Sequence, residues 1–466
     1  MRLLRYALLA TVLAAPALAQ PAPDVVRVRV LSSQAPTEVR VEPLAGPLRV
    51  FVDGIEGSPL VPGETATLSG RGRDVRVRVG GADLSGRTVR LAGDGVRLRA
   101  GSTTREYPGD FVVGRAGDRL ELVTHAPVEP YVASVVQSEF GFPVLEGAKA
   151  QAVLARTYAA RRAGAHPTYD LDDDQRSQVY RGSGPATDLS RRAAAETRGE
   201  VLTYGGTLAE AAYFSSSGGH TADNDAVWAG APVPYLRGVP DPFDADAPDH
   251  RWRTSADRAA VLGALSRRYG GTVRDVTVER RSRSGRVVTV RLVGGRTETI
   301  SGSAFRQAVN GAVGARTVRS TRFEITTDGG RYVFEGSGFG HGVGMSQYGA
   351  LGQARAGRGY REILAYYFAG TEVRPGTTGG VRPALIAMTP PAPGTAPAAV
   401  PRQPDSSLGT RYVPPTARRW PTPRRVVRDR ANDDTSADVA KAPVPPAQRP
   451  PMTPPPAAPT PRRTGW

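Results

Sequence analysis

VEPYVASVVQSEFGFPVLEGAKAQAVLARTYAARR, residues 128–162, holds the two features on which the reading of this chain turns. In its second half small residues recur at Ala148, Ala152, Ala155 and Ala159. That is the i, i+3/i+4 spacing of a helix, and a stripe of alanines lets such a helix approach its neighbour closely. Pro143 just ahead suits a helix start. In the first half, Glu139 closes an apolar run (Val132, Val135, Val136) and is followed by Phe140-Gly141-Phe142. A carboxyl among apolar and aromatic neighbours is desolvated, which raises its pKa and suits a general acid near neutral pH. A solvated glutamate at a helix-to-loop junction would have the same local sequence.

Working outward, residues 24–125 are rich in Val, Arg and Gly. Val26-Arg27-Val28-Arg29-Val30 and Val75-Arg76-Val77-Arg78-Val79 put every second side chain on one face, as half-buried strands do. Strand patterns resume at 276–279, 287–293 and 323–326, followed by a glycine-dense segment and an amphipathic helix over 360–368. The expected fold class is α+β: a β-rich N-terminal region (20–125), a mixed strand and helix core (126–375) and a Pro/Arg-rich tail (376–466). The tail carries Pro-Pro pairs at 390–391, 414–415 and 450–451. It cannot bury enough apolar area to offset its ordering entropy and reads as disordered or extended.

At the N-terminus Arg2 and Arg5 precede an apolar run over 6–15, and Ala17-Leu18-Ala19 closes it. Charged, apolar and small-residue regions in that order predict a removed export signal over 1–19. No later stretch is long and apolar enough to cross a membrane. With export, the absence of cysteine among 466 residues excludes a disulfide scaffold, a cysteine-anchored lipoprotein and thiolate metal sites. The expected location is a bacterial envelope or periplasm. A net charge of +17, nearly all from arginine, fits either a compositional bias or attraction to anionic envelope polymers or lipid. Nucleic acid is not an expected partner, because no basic patch is interleaved with aromatics.

The glycine-dense segment fails both dinucleotide and P-loop spacing, and Gly344-x-Ser346-x-Tyr348 lacks the last glycine of a nucleophile elbow. Its glycines permit positive φ or close approach to a ligand. His341, Ser346, Gln347 and Tyr348 offer donors and a flat ring suited to sugar hydroxyls and acetamido groups, although a tight packing turn would contain the same residues. The run Ser215-Ser216-Ser217-Gly218-Gly219-His220 is similarly fit to line a polysaccharide groove, with Ser217 and His220 as contacts. Trp228 and Tyr235 are candidate stacking platforms or core. Lys149, Gln151 and Arg156 follow Glu139 on the alanine-striped helix, placed either to contact substrate or to form a basic helical face.

Three segments together resemble the SpoIID/LytB family: residues 128–139 running on to Ala148-Lys149-Ala150-Gln151-Ala152-Val153 and Ala155-Arg156-Thr157-Tyr158; Tyr213-Phe214-Ser215-Ser216-Ser217-Gly218-Gly219-His220-Thr221; and 338–350, GFGHGVGMSQYGA. Gln178-Val179-Tyr180-Arg181-Gly182 and Ser301-Gly302-Ser303-Ala304-Phe305-Arg306 are lesser echoes, the first adding Tyr180 to the candidates. The resemblance spans roughly 105–373 in the family's usual order. It implies cleavage of glycan strands already stripped of stem peptides, or enhancement of a wall amidase, with Glu139 as catalytic acid/base. Some family members bind zinc through cysteines just before the Q-V-Y segment. Asp172 and Ser177 stand in that neighbourhood here, so no metal or other cofactor is expected. A hydrolytic glycosidase normally needs two carboxylates. No second acid pairs with Glu139 in the sequence, which is compatible with lytic transglycosylation, where the sugar's own C6 hydroxyl closes on C1, and weighs mildly against inverting hydrolysis. Expected partners are peptidoglycan glycan strands and, on the second reading, a wall amidase.

Overall fold

The computed structural model describes residues 24–376; the expected export signal, and the expected tail beyond its first residue, lie outside the described residues. The architecture is α+β, with seven α-helices among the described residues.

Two sheets form the N-terminal region, antiparallel but for a short parallel pairing of Val25–Arg29 with Leu171–Asp172. One contains Val25–Arg29 and Arg119–Pro127 side by side, with Val25 opposite Pro127 and Val28 opposite Thr124. The other contains Glu38–Pro43, Ala66–Arg71 and Asp74–Val79. The alternation read from the sequence is realised: Val26, Val28, Val30, Val75 and Val77 are all buried. A run of alternating valines presents one apolar face, and two such faces exclude water by packing on each other.

That core continues into the helical part. Residues from Val26 to Leu236, together with Val343 to Phe368, share one apolar cluster. Helix α1 (Val128–Glu139) leads through a short loop to α2 (Leu145–Arg161), and α3 (Asp188–Glu196) packs on both. A second cluster runs from Trp252 to Phe334. It is built from α4 (Arg258–Tyr269), α5 (Gly302–Val313) and two three-stranded sheets, whose strands Val273–Arg281, Val287–Gly294 and Phe323–Asp328 cover the expected runs. The chain returns to the first core in α6 (Gln347–Arg355) and α7 (Tyr360–Tyr367).

The glycine-dense segment is the seam between the two cores. Gly338, Gly340, Gly342 and Gly344 all have positive φ, a conformation that residues with a Cβ adopt only at a cost. Its main chain bonds to the first core (Ser216 N–H to Phe339 O, 3.0 Å; Ala222 N–H to Gly342 O, 2.7 Å) and to the second (Gly340 N–H to Arg319 O, 3.1 Å). At Gly342 the requirement is also spatial, since a Cβ would stand 2.3 Å from the Arg286 guanidinium carbon.

Candidate active site

Glu139 ends α1, with Phe140 buried behind it as the helix C-cap. Its Oε1 accepts the Val179 N–H at 2.7 Å, and the nearby Tyr213 hydroxyl favours the ionised carboxylate. That hydroxyl is aimed by a relay. Tyr131 Oη donates to Gln178 Oε1 at 2.7 Å, and Gln178 Nε2 donates to Tyr213 Oη at 3.1 Å, so the relay does not consume the Tyr213 proton. Burial raises the Glu139 pKa above the usual carboxylate range, against the lowering effects of Val179, Tyr213 and the Arg181 charge. Desolvation wins, so the carboxyl is biased toward its protonated form.

The half-buried Glu139 opens on a cavity of about 260 Å³ lined also by Ser138, Phe142, Tyr158, Trp228 and His341. Among the described residues lining it, Glu139 is the one carboxyl group. Gln347 and Tyr348 face the same space, Tyr348 meeting Phe142 edge-on with ring centroids 4.9 Å apart. Of the expected contacts, the structure therefore brings Glu139, His341, Gln347 and Tyr348 together.

His341, however, has no nitrogen to offer a sugar. Nε2 bonds to Tyr213 O at 2.9 Å, and Nδ1 accepts the Val343 N–H at 3.1 Å. An Nδ1 that accepts leaves the proton on Nε2, so the ring is neutral with a fixed tautomer. Burial, with Arg286 and Arg306 nearby, pushes its pKa down to about 3. The imidazole pins the Gly-rich segment to the Tyr213 strand.

The remaining candidates lie away from the cavity lining. Arg156 is fully buried and forks onto Glu129 (Nη2 to Oε2, 2.7 Å; Nε to Oε1, 3.2 Å), with Nη1 on Glu200 O at 2.9 Å. It brackets two helices and lies away from the cavity lining. Lys149 is held by Glu146 at 2.8 Å and Glu196 at 2.6 Å. Gln151 and Tyr180 are buried, the latter tilted against Tyr131 with centroids 5.0 Å apart. Ser346 caps α6 by accepting the Gly349 N–H at 3.1 Å, and buried Ser217 accepts the Gly219 N–H at 3.0 Å. His220 Nδ1 sits 2.7 Å from Thr221 O. These polar residues satisfy main-chain groups that the glycine-rich turns would otherwise leave unpaired. Tyr235 is buried and accepts the Glu210 N–H at 2.9 Å, whereas Trp228 reaches the cavity.

The loop ahead of Gln178 is held by charge. Asp170 pairs with Arg27 and Asp172 with Arg29, each at 2.7 Å, and Asp173 accepts the Leu31 N–H at 2.9 Å. Sequence reading passed over Tyr213 and Gln178 as site residues, although both lie inside quoted segments. Their placement near Glu139 depends on which side chains meet across the fold.

A family model described as Stage II sporulation protein matches residues 116–204, the stretch that supplies Glu139, Gln178 and Val179. Stage II sporulation protein D of Bacillus subtilis (strain 168) is 31% identical over 295 residues, covering 59% of this chain and 82% of its own. The chain belongs to the SpoIID family. Stage II sporulation protein D of Bacillus amyloliquefaciens is 32% identical over 291 residues, 58% of this chain and 80% of its own. An amidase enhancer of Bacillus subtilis (strain 168) is 30% identical over 274 residues, 49% of this chain and 38% of its own. A second model, described as a domain of unknown function (DUF8618), matches residues 240–344. This SpoIID-family chain thus carries its carboxyl in one matched region and most of the second core in another. No helix among the described residues is long and apolar enough to cross a membrane.

Proposed function

We propose that this chain is an envelope enzyme that cleaves peptidoglycan glycan strands as a lytic transglycosylase, with Glu139 as the single acid and base. The supporting observation is one raised-pKa carboxyl, held by Val179 N–H beside Tyr213, facing a cavity whose described lining holds no other carboxyl. Protonated Glu139 gives its proton to the glycosidic oxygen as the C1–O bond breaks. The resulting carboxylate takes the proton of the C6 hydroxyl as O6 closes on C1, leaving a 1,6-anhydro end. No water is consumed, so no second carboxylate is required to activate one.

Mass spectrometry of peptidoglycan, intact and amidase-stripped, incubated with the protein tests this. Anhydromuramic ends are expected with the native chain and a loss of about 10²–10⁴-fold in their rate with Glu139→Gln. A second reading, a glycan-binding enhancer of a wall amidase, is supported by the amidase-enhancer relative. Glycan binding without new ends, combined with faster amidase action, would favour it.

A further inference from the structure

The cavity has two walls from different parts of the chain. Ser138, Glu139, Tyr158, Ser177 and Tyr213 come from the part that builds the first core; Arg306 and Thr321 come from the 240–344 match. Arg306 lies on α5 and donates Nε–H to Val318 O at 2.9 Å, and it has no ion-pair partner among the described residues. Buried Arg286 adds a second cation close by, bonded to carbonyls (Ser217 O at 3.1 Å) and to no carboxylate. Arg306 is half-buried and lines the cavity, whereas Arg286 is fully buried and lies outside the lining, so an anion entering the cavity meets Arg306. Burial pushes Arg306 down to about 10 and Arg286 to about 9, so both stay cationic at neutral pH. Two buried hydroxyls in the same lining, Ser138 Oγ and Thr321 Oγ1, have no hydrogen-bond partner within the protein. Unfilled hydroxyls and a guanidinium without an ion pair, lining one cavity, describe a site for an oxygen-rich anionic ligand.

We propose that Arg306 reads a carboxylate on the glycan, the lactyl carboxylate of a muramic residue whose stem peptide is gone. A strand that still bears its peptide carries an uncharged amide at that atom and gives Arg306 nothing to pair with. One wall then supplies the acid and the other tests whether the strand has been stripped. This rests on the glycan-cleaving reading above.

The test uses the full chain carrying Glu139→Gln, so that binding is measured without turnover. Two ligands are titrated by calorimetry: a peptide-stripped muramic-containing oligosaccharide, and the same oligosaccharide with its carboxylates converted to methylamides. The acid is expected to bind about tenfold or more tightly than the amide, as for one charge-assisted hydrogen-bonded pair. Adding Arg306→Gln should abolish that ratio, and Arg306→Lys, which keeps the charge without the fork, should retain part of it. Thermal melting checks that each variant folds. If Arg306→Gln does not fold, the Lys variant decides by whether the ratio falls. A ratio that persists without the guanidinium, or equal or absent binding in the Glu139→Gln parent, overturns the proposal. Failure of the native chain to make anhydro ends on any substrate, with the binding ratio intact, would sink the lytic reading and leave the Arg306 assignment standing.

Discussion

Glu139 is poised by opposition: its apolar surroundings hold the proton on, while Val179 N–H and Tyr213 favour taking it off. Tyr213→Phe removes one of the lowering influences, so the Glu139 pKa should rise further. For a general acid the alkaline limb of kcat/KM reports that pKa, so the limb should move to higher pH. A pH–rate profile of glycan cleavage checks the sign, and a limb moving to lower pH would exclude Tyr213 as the donor. The loss also strands the Gln178 amide N–H, with a destabilisation of about 1–3 kcal/mol in urea unfolding. The desolvated setting of Glu139 was legible because its apolar and aromatic neighbours are local in sequence. His341 was not, because nothing local says that both ring nitrogens are spent on Tyr213 O and Val343 N–H.

At the scale of elements, α2 shows how a correct period still understates burial. The alanines at 148, 152, 155 and 159 announce a helix with one close-packed face, yet it is buried from Gly147 to Ala160 apart from Lys149. Small side chains permit this on every side, so α1, α3, α6, α7 and the strand Glu200–Tyr204 all pack against it. Arg156 and Gln151 look solvent-facing only if one face is assumed to be wet. Arg156→Ala leaves the Glu129 carboxylate and the Glu200 carbonyl without their partner inside that packing. It should destabilise the fold by about 3–5 kcal/mol, read as a lowered urea midpoint. Cleavage per folded molecule should stay within a few-fold of native. A stable variant that has lost glycan affinity would instead return Arg156 to the substrate.

Across the whole molecule, the relation between the two cores decides whether acid and cation face one cavity. Strand alternation and helix periodicity are short-range signals, and they reported the elements of both cores. They carry no information on which surfaces meet, and so none on the pairing of Glu139 with Arg306. The crossing is fixed by buried aspartates at 241–249. Asp244 takes the Ser216 hydroxyl at 2.8 Å and the Gly218 N–H at 2.7 Å. Asp249 binds Arg316 at 2.8 Å and also Arg319, just beyond the α5 helix that carries Arg306. Trp252 Nε1 then donates to Gly338 O at 2.8 Å, closing the second core onto the glycine seam. Asp249→Ala frees both arginines while touching nothing in the first core's apolar cluster. Because local openings follow cooperative units, amide exchange should quicken over 302–321 and remain slow over 128–161. With the acid still in place and the opposite wall loosened, KM for stripped glycan should rise about tenfold while kcat changes little, the pattern of lost uniform binding. Equal acceleration of exchange in both cores would mean that they unfold as one unit. In that case Asp249 would support global stability and would not be what sets the second wall against the first.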